Sequence, residues 1–243
     1  EDGDTILDAL VTGGADAVEL GIAFSDPIAD GPTIQAASVR ALAAGMTPPK
    51  SLAMVQRFRA RHPDVPVGLL VYANLVEAKG RPAFYRQASE AGVDSVLVAD
   101  VPTLEAAPFC AQAEAVGIDP VLILPPQASP STLDRVAALS RGYTYVVTRP
   151  GVTGAEVEAG VAEDEALRDQ SELLRSLAER GAAPPVMGFG ISTPEHVARV
   201  RQSGAAGAIV GSALVRRIAE STPATRAATI EQYLSTLKAR GCP

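Results

Sequence analysis

The residues of this chain best equipped for chemistry begin with Glu19, in the segment DAVELGI (16–22), where Val18, Leu20 and Ile22 alternate with Ala17, Glu19 and Gly21. Side chains alternate across a strand, so Glu19 is set on the opposite side from Val18, Leu20 and Ile22, in a strand of the kind usually buried. A carboxylate there loses hydration, which raises its pKa and lets it exchange a proton near neutral pH. A satisfied core ion would use the same residue. Asp26 and Asp30 follow in a stretch broken by Pro27, Gly31 and Pro32, which reads as a loop in which either acid could act on a ligand or form a turn or helix cap.

Other reactive positions recur just after apolar runs. Tyr72 ends Val65 to Tyr72, Asp100 follows Asp94 to Ala99, and Tyr143 and Tyr145 share one side of RGYTYVVTR, so at least one of their hydroxyls faces the same way as the site. Tyr72 could equally be a core-capping aromatic. Two glycine turns, GFGIS (188–192) and GSA (211–213), close the last two apolar runs. Glycine lets backbone N–H groups approach an anion, and a helix starting near Ser212 presents its positive end there. Gly154, in PGVTGAE (150–156), adds a third such position. The ligand implied is a phosphomonoester. GFG alone is a weak signal that a plain tight turn would also give.

What is missing narrows the chemistry. The three lysines, Lys50, Lys79 and Lys238, fall outside the expected strands, leaving a Schiff-base aldolase without its nucleophile. His62 and His196 fall in helical or helix-end segments and supply no zinc cluster. No Ser/His/Asp set can be assembled.

The elements that must position these groups alternate regularly. A helix over Glu1 to Gly14 leads to the strand of Glu19; helices at Thr33 to Ala44 and Pro49 to Arg61 lead to Val65 to Tyr72. Helices at about Pro82 to Ala91, Leu104 to Val116 and Ser131 to Leu139 precede strands at Asp94 to Ala99, Pro120 to Leu124 and Tyr143 to Thr148. Strands near Pro185 to Gly188 and Ala206 to Val210 and a last helix, Pro223 to Arg240, complete the pattern. Strand–helix alternation with near-continuous apolar strands implies a parallel sheet covered on both faces, within one domain spanning 1–243. The count is seven strands, one short of a closed (β/α)8 barrel, whose active site lies at the carboxyl ends of the strands.

The segment ELGIAFSDPIADGPTIQ (19–35) closely resembles the signature of the tryptophan synthase alpha-subunit family, and the likeness extends through YANL (72–75), LVADVP (97–102) and nearly the whole chain. The resemblance implies a (β/α)8 TIM barrel lacking, in this chain, the N-terminal helix and first strand. Seven strands would leave two edges unpaired, an aggregation liability. It also implies a lyase that splits indole-3-glycerol phosphate into indole and glyceraldehyde 3-phosphate in tryptophan biosynthesis, with Glu19 as catalytic acid/base and Asp30 holding the indole nitrogen. Tyr72 and Asp100 would form the substrate cavity or its wall, and Asn74 part of a subunit contact. Tyr145 would line the pocket near Glu19, and Thr153 would touch Asp30 when a lid over Val157 to Glu165, hinged at Gly151 and Gly154, closes. Gly190, Gly211 and Ser212 would hold the phosphate. The partner would be a tryptophan synthase beta subunit in an α2β2 complex, which would carry the pyridoxal phosphate, this chain needing no cofactor or metal. One departure is Ala23, where the family usually has proline in the loop facing the partner. It favours, slightly, a standalone indole-releasing lyase of secondary metabolism; a catalytically weak activating subunit and another phosphate-binding barrel, such as a sugar-phosphate isomerase, are further alternatives.

Composition agrees with an enzyme of this kind. The 243 residues are 47% hydrophobic and 20% charged, with a formal net charge of −7, an ample core and no clustered basic face for nucleic acid. No apolar run is long enough to span a bilayer, and the first residues lack a signal peptide's regions. Two cysteines, Cys110 and Cys242, fit free thiols in a reducing, cytoplasmic setting.

Overall fold

The computed structural model describes residues 2–147, 170–188 and 190–239. Seven strands form one sheet in the order β1 to β7: Val18–Gly21, Val67–Val71, Ser95–Val98, Asp119–Leu124, Thr144–Val147, Pro185–Gly188 and Gly207–Ala208. Every neighbouring pair is parallel, so the carboxyl ends of all the strands meet at one face. The sheet curls as an incomplete (β/α) barrel with β1 and β7 as its edges, as the strand count anticipated.

Between the strands run α1 (Gly3–Thr12), α2 (Pro32–Ala43), α3 (Pro48–Arg61), α4 (Ala73–Glu77), α5 (Arg81–Glu90), α6 (Ala107–Glu114) and α7 (Pro130–Leu139). After the undescribed segment come α8 (Ser171–Glu179), α9 (Pro194–Gln202), α10 (Ser212–Glu220) and α11 (Arg226–Ala239). Proline opens many of them, near the amino ends of α2, α3, α5, α6, α7 and α9, where its missing N–H has no intrahelical partner to lose. Two differences from the sequence reading arise at the rim. Residues after Tyr72, expected as loop, form the short α4, and Leu104 to Val116 divides into a 3₁₀ turn at Thr103–Glu105 and α6. The first begins directly after β2, where the Asp100 carboxylate of the neighbouring loop accepts the Ala73 N–H, a cap that apolar periodicity does not register.

Strand alternation sorts the core into two layers. Val67, Leu69, Val71 and Val96 pack outward against helix residues such as Val55, Phe58, Tyr85 and Ala88; Leu124, Val146 and Met187 do the same against Leu133, Leu174 and Val200. The residues between them in sequence point inward, and Leu70, Leu97, Val121, Ile123, Tyr145 and Val147 fill the lumen together. Each fully buried Leu or Val side chain contributes about 1.5–3 kcal/mol. The first and last helices close the outer layer: α11 packs on α1, with Ile230 buried in the same cluster as Leu7 and Leu10. Lys238 bonds the Asp16 carboxylate at 2.6 Å and Arg226 pairs with Asp2 across this junction.

Candidate active site

Glu19 is an inward residue of β1. Its neighbour across the β1–β2 pair is Gly68, and the absence of a side chain there matters: a Cβ at position 68 would lie 2.8 Å from Ser95 Oγ and 3.8 Å from Glu19 Cγ. The glycine leaves Glu19 and Ser95 room on the same inner face. Across the lumen, immediately before β5, Tyr143 donates its hydroxyl to Glu19 Oε1 at 2.5 Å. Withdrawal from water is the larger influence on Glu19 and raises its pKa, while the Tyr143 hydrogen bond opposes it. The same surroundings push the Tyr143 hydroxyl up, first by burial and then by the nearby Glu19 charge, so it remains a donor.

Tyr145 occupies the next inward position of β5 and is buried at 6% exposure. Its ring lies over β6 at Gly188, where any Cβ would fall inside the phenol's van der Waals surface. Burial, then the charges of Glu19 and Asp30, raise its pKa, so its hydroxyl lies within electrostatic reach of both acids. The sequence placed one of the two tyrosine hydroxyls at the site; the one that bonds Glu19 belongs to Tyr143, which the resemblance passed over. The parity shared by Tyr143 and Tyr145 was the available signal. Ser95 and Gly68 carried no motif of their own.

Asp30 is 7% exposed at the end of the β1–α2 loop. Tyr72, following β2, donates its hydroxyl to Asp30 Oδ2 at 2.9 Å and accepts the Ala29 N–H at 3.1 Å. Its ring stacks on Phe24, centroids 5.3 Å apart. Gln35 Nε2 donates to the Asp30 carbonyl at 2.7 Å. Asp26, by contrast, is exposed and bonds Ser25 beside it, the local turn role open to it from sequence. Asp100, after β3, accepts the Ala73 N–H at 2.7 Å, capping the first turn of α4 and tying the β2 and β3 rims together. Asn74 lies in α4 and is exposed.

The glycine turns sit where β6 and β7 end. Gly190 adopts φ +74°, the left-handed region that favours glycine, with open space where a Cβ would stand. Gly211 caps α10, with equally open space at its Cα. Ser212 opens that helix, whose first internal hydrogen bond runs from Val215 N–H to Gly211 O, so the three preceding N–H groups have no carbonyl within the helix to bond. Such an end accepts an anion. Because the strands are parallel, these turns share the face onto which the loops of Asp30, Tyr72 and Asp100 open. Thr153 and Gly154, with the lid over Val157 to Glu165, lie outside the described residues.

The remaining reactive groups lie elsewhere. Lys50, Lys79 and Lys238 are exposed, and none lies in a strand. His62 bonds Asp8 at 2.8 Å and packs on Phe58, and His196 sits in α9 beside the Ser192 N–H. Cys110 is buried with a free thiol, and Cys242 lies outside the described residues. Among the described residues, no group of three or more His, Cys, Asp or Glu could hold a metal ion, and no helix is long and apolar enough to cross a membrane.

Comparison with known proteins gives this site a context. A family model described as tryptophan synthase alpha chain matches residues 1–240. The alpha chain of Shewanella amazonensis is 55% identical over 213 residues, covering 88% of this chain and 77% of the relative; that of Klebsiella pneumoniae is 50% identical over 236, covering 96% and 85%. The alpha subunit of Legionella pneumophila superposes with a TM-score of 0.85 at 31% identity, over 99% of this chain and 87% of that one. A chain from the α2β2 tryptophan synthase complex of Pyrococcus furiosus gives 0.82 at 32% identity, over 98% and 92%. The chain belongs to the tryptophan synthase alpha chain family.

Proposed function

We propose that the chain cleaves indole-3-glycerol phosphate into indole and glyceraldehyde 3-phosphate, with Glu19 as the acid/base and Asp30 as the group that holds the indole nitrogen. The single observation supporting this assignment most strongly is Glu19 itself: an inward carboxylate on β1, bonded to Tyr143, with its pKa raised by withdrawal from water. A carboxyl group whose pKa is raised holds its proton to higher pH than an exposed one and can give it to indole C3. The resulting carboxylate takes the proton of the hydroxyl on the carbon attached to the ring. The O–H electrons form the aldehyde C=O, the carbon–carbon bond breaks, and its electrons return to the ring. Glu19 ends as it began.

Protonation at C3 places positive charge on the ring nitrogen, and a carboxylate accepting the N–H stabilises that charge as it develops. Asp30, on the loop leaving β1, is suited to this. The turns of Gly190, Gly211 and Ser212 would hold the phosphate, so that binding energy far from the breaking bond positions it. Tyr145 would line the pocket near Glu19, with Tyr72 and Asp100 along its wall. Thr153 and Gly154 are assigned to substrate contact on family likeness alone.

The chain acts with a beta subunit, as the Pyrococcus furiosus relative does in its α2β2 complex. The pyridoxal phosphate belongs to that partner, since all three lysines here are exposed and none lies in a strand. Ala23, in the loop where the family usually has proline, favours a second reading in which indole is released without a partner. Indole release from indole-3-glycerol phosphate, measured with and without added beta subunit, tests both. Strong stimulation supports the synthase component, high unassisted turnover supports the standalone enzyme, and no turnover in either arm overturns the lyase assignment.

A further inference from the structure

Asp30 can stabilise a cationic ring only if its carboxylate is aimed. The backbone around it carries several local bonds: Asp30 N–H bonds Pro27 O at 3.0 Å, Ile28 N–H bonds Asp26 O at 2.9 Å, and Gln35 bonds the Asp30 carbonyl. These contacts set the loop path and leave the carboxylate's direction to side-chain partners. Tyr72 supplies one from a different element. It stands at the end of β2, 42 residues away in sequence, and its hydroxyl donates to Asp30 Oδ2 while accepting the Ala29 N–H. One phenol therefore fixes a carboxylate oxygen and the peptide preceding it.

The ring contributes separately. It stacks on Phe24, at the start of the same loop, with planes inclined by 26°. The loop is thus pinned near both ends by one side chain, and Asp100 secures the rim beneath by capping Ala73. A carboxylate has about four lone-pair positions, so a hydroxyl bonded at Oδ2 restricts its rotation and still allows it to accept from a ligand.

We propose that Tyr72 is a positioning residue for Asp30, orienting its carboxylate toward the indole N–H through the hydroxyl bond, and that this bond acts mainly on the chemical step. The proposal rests on the assignment of Asp30 above. Stabilisation at the ring nitrogen grows as positive charge develops, so a misaimed carboxylate lowers kcat more than it raises KM.

The test is a double-mutant cycle read by indole release from indole-3-glycerol phosphate, using the full chain with its beta subunit. Tyr72→Phe retains the ring and removes only the hydroxyl. It is expected to lower kcat/KM by about 10- to 100-fold, the range for losing a hydrogen bond to a charged group, with most of the loss in kcat. In an Asp30→Asn background the same change is expected to cost less than about threefold, because the group it positions is already altered. Phe24→Leu, which removes the stack and retains the hydroxyl, is expected to stay within about threefold of wild type. Tyr72→Phe turnover within about twofold of wild type, or an equal loss in both backgrounds, overturns the proposal. Near-normal turnover by Asp30→Asn and Glu19→Gln overturns instead the site assignment on which it rests.

Discussion

The hydroxyl of Tyr143 and the carboxylate of Glu19, 124 residues apart, meet across the lumen at 2.5 Å. They come from the residue just before β5 and from β1, so the bond spans the curl of the sheet and exists only once the strands have closed toward one another. It also sets two tendencies in opposition on one acid: withdrawal from water favours the protonated form, and the tyrosine donor favours the anion.

Removing that donor has a defined sign. Tyr143→Phe takes away the influence that lowers the Glu19 pKa, so the limb of the kcat/KM against pH profile belonging to Glu19 moves to higher pH. Turnover at neutral pH falls by about 3- to 30-fold as Glu19 loses its fixed orientation. A full pH profile of the variant checks this, and an unmoved limb counts against Glu19 as the titrating group.

Stability follows from the same shift. Because the folded pKa of Glu19 lies above its ordinary value, the folded chain holds this proton more tightly than the unfolded chain. Its contribution therefore worsens as pH rises from the unfolded pKa through the folded one, and is fully unfavourable above both. Glu19→Gln removes the penalty and retains an acceptor for Tyr143. The variant should melt about 2 °C or more above wild type at neutral pH, with the difference shrinking below about pH 4, near the ordinary carboxylate value. Thermal melts at the two pH values read it directly.

The contact between Tyr145 and Gly188 yields a steric prediction. Gly188→Ala places a methyl group inside the volume of the Tyr145 ring, and since that ring is enclosed by the lumen residues Leu97, Val121 and Val147, relief requires shifting packed strands. A loss of about 1–3 kcal/mol in denaturant unfolding is expected, with lower turnover because the displaced ring walls the proposed pocket. An unchanged midpoint would mean that the ring has somewhere else to go.

Much of this architecture is legible in the residue order alone. The strand run around Glu19 and the near-continuous apolar strands fixed a parallel, two-faced sheet of seven strands, because period-2 alternation and burial on both faces leave a strong mark on residue types. Glu19 followed from the same alternation, and the turns of Gly190 and Gly211 from the conformational demands of close backbone approach. The contacts of Tyr143, Ser95 and Gly68 with Glu19 did not, because they depend on how far the sheet curls, a property spread over many residues with no local signature. Tyr72 and Asp100 were recognised as rim residues, but their partners, the Asp30 carboxylate and the Ala73 N–H, belong to neighbouring loops that only tertiary structure brings together. The short α4 escaped for the same reason: its cap comes from Asp100 on the next loop.

The central claim is that Glu19 supplies the proton that releases indole. Single-turnover indole release by wild type and Glu19→Gln, each saturated with indole-3-glycerol phosphate in the presence of beta subunit, measures it with binding held constant. The variant is expected to bind substrate with an affinity close to wild type and to release indole at least about 1,000-fold more slowly, within the span of lost general acid/base catalysis. Release within about tenfold of wild type by a correctly folded Glu19→Gln chain would contradict it.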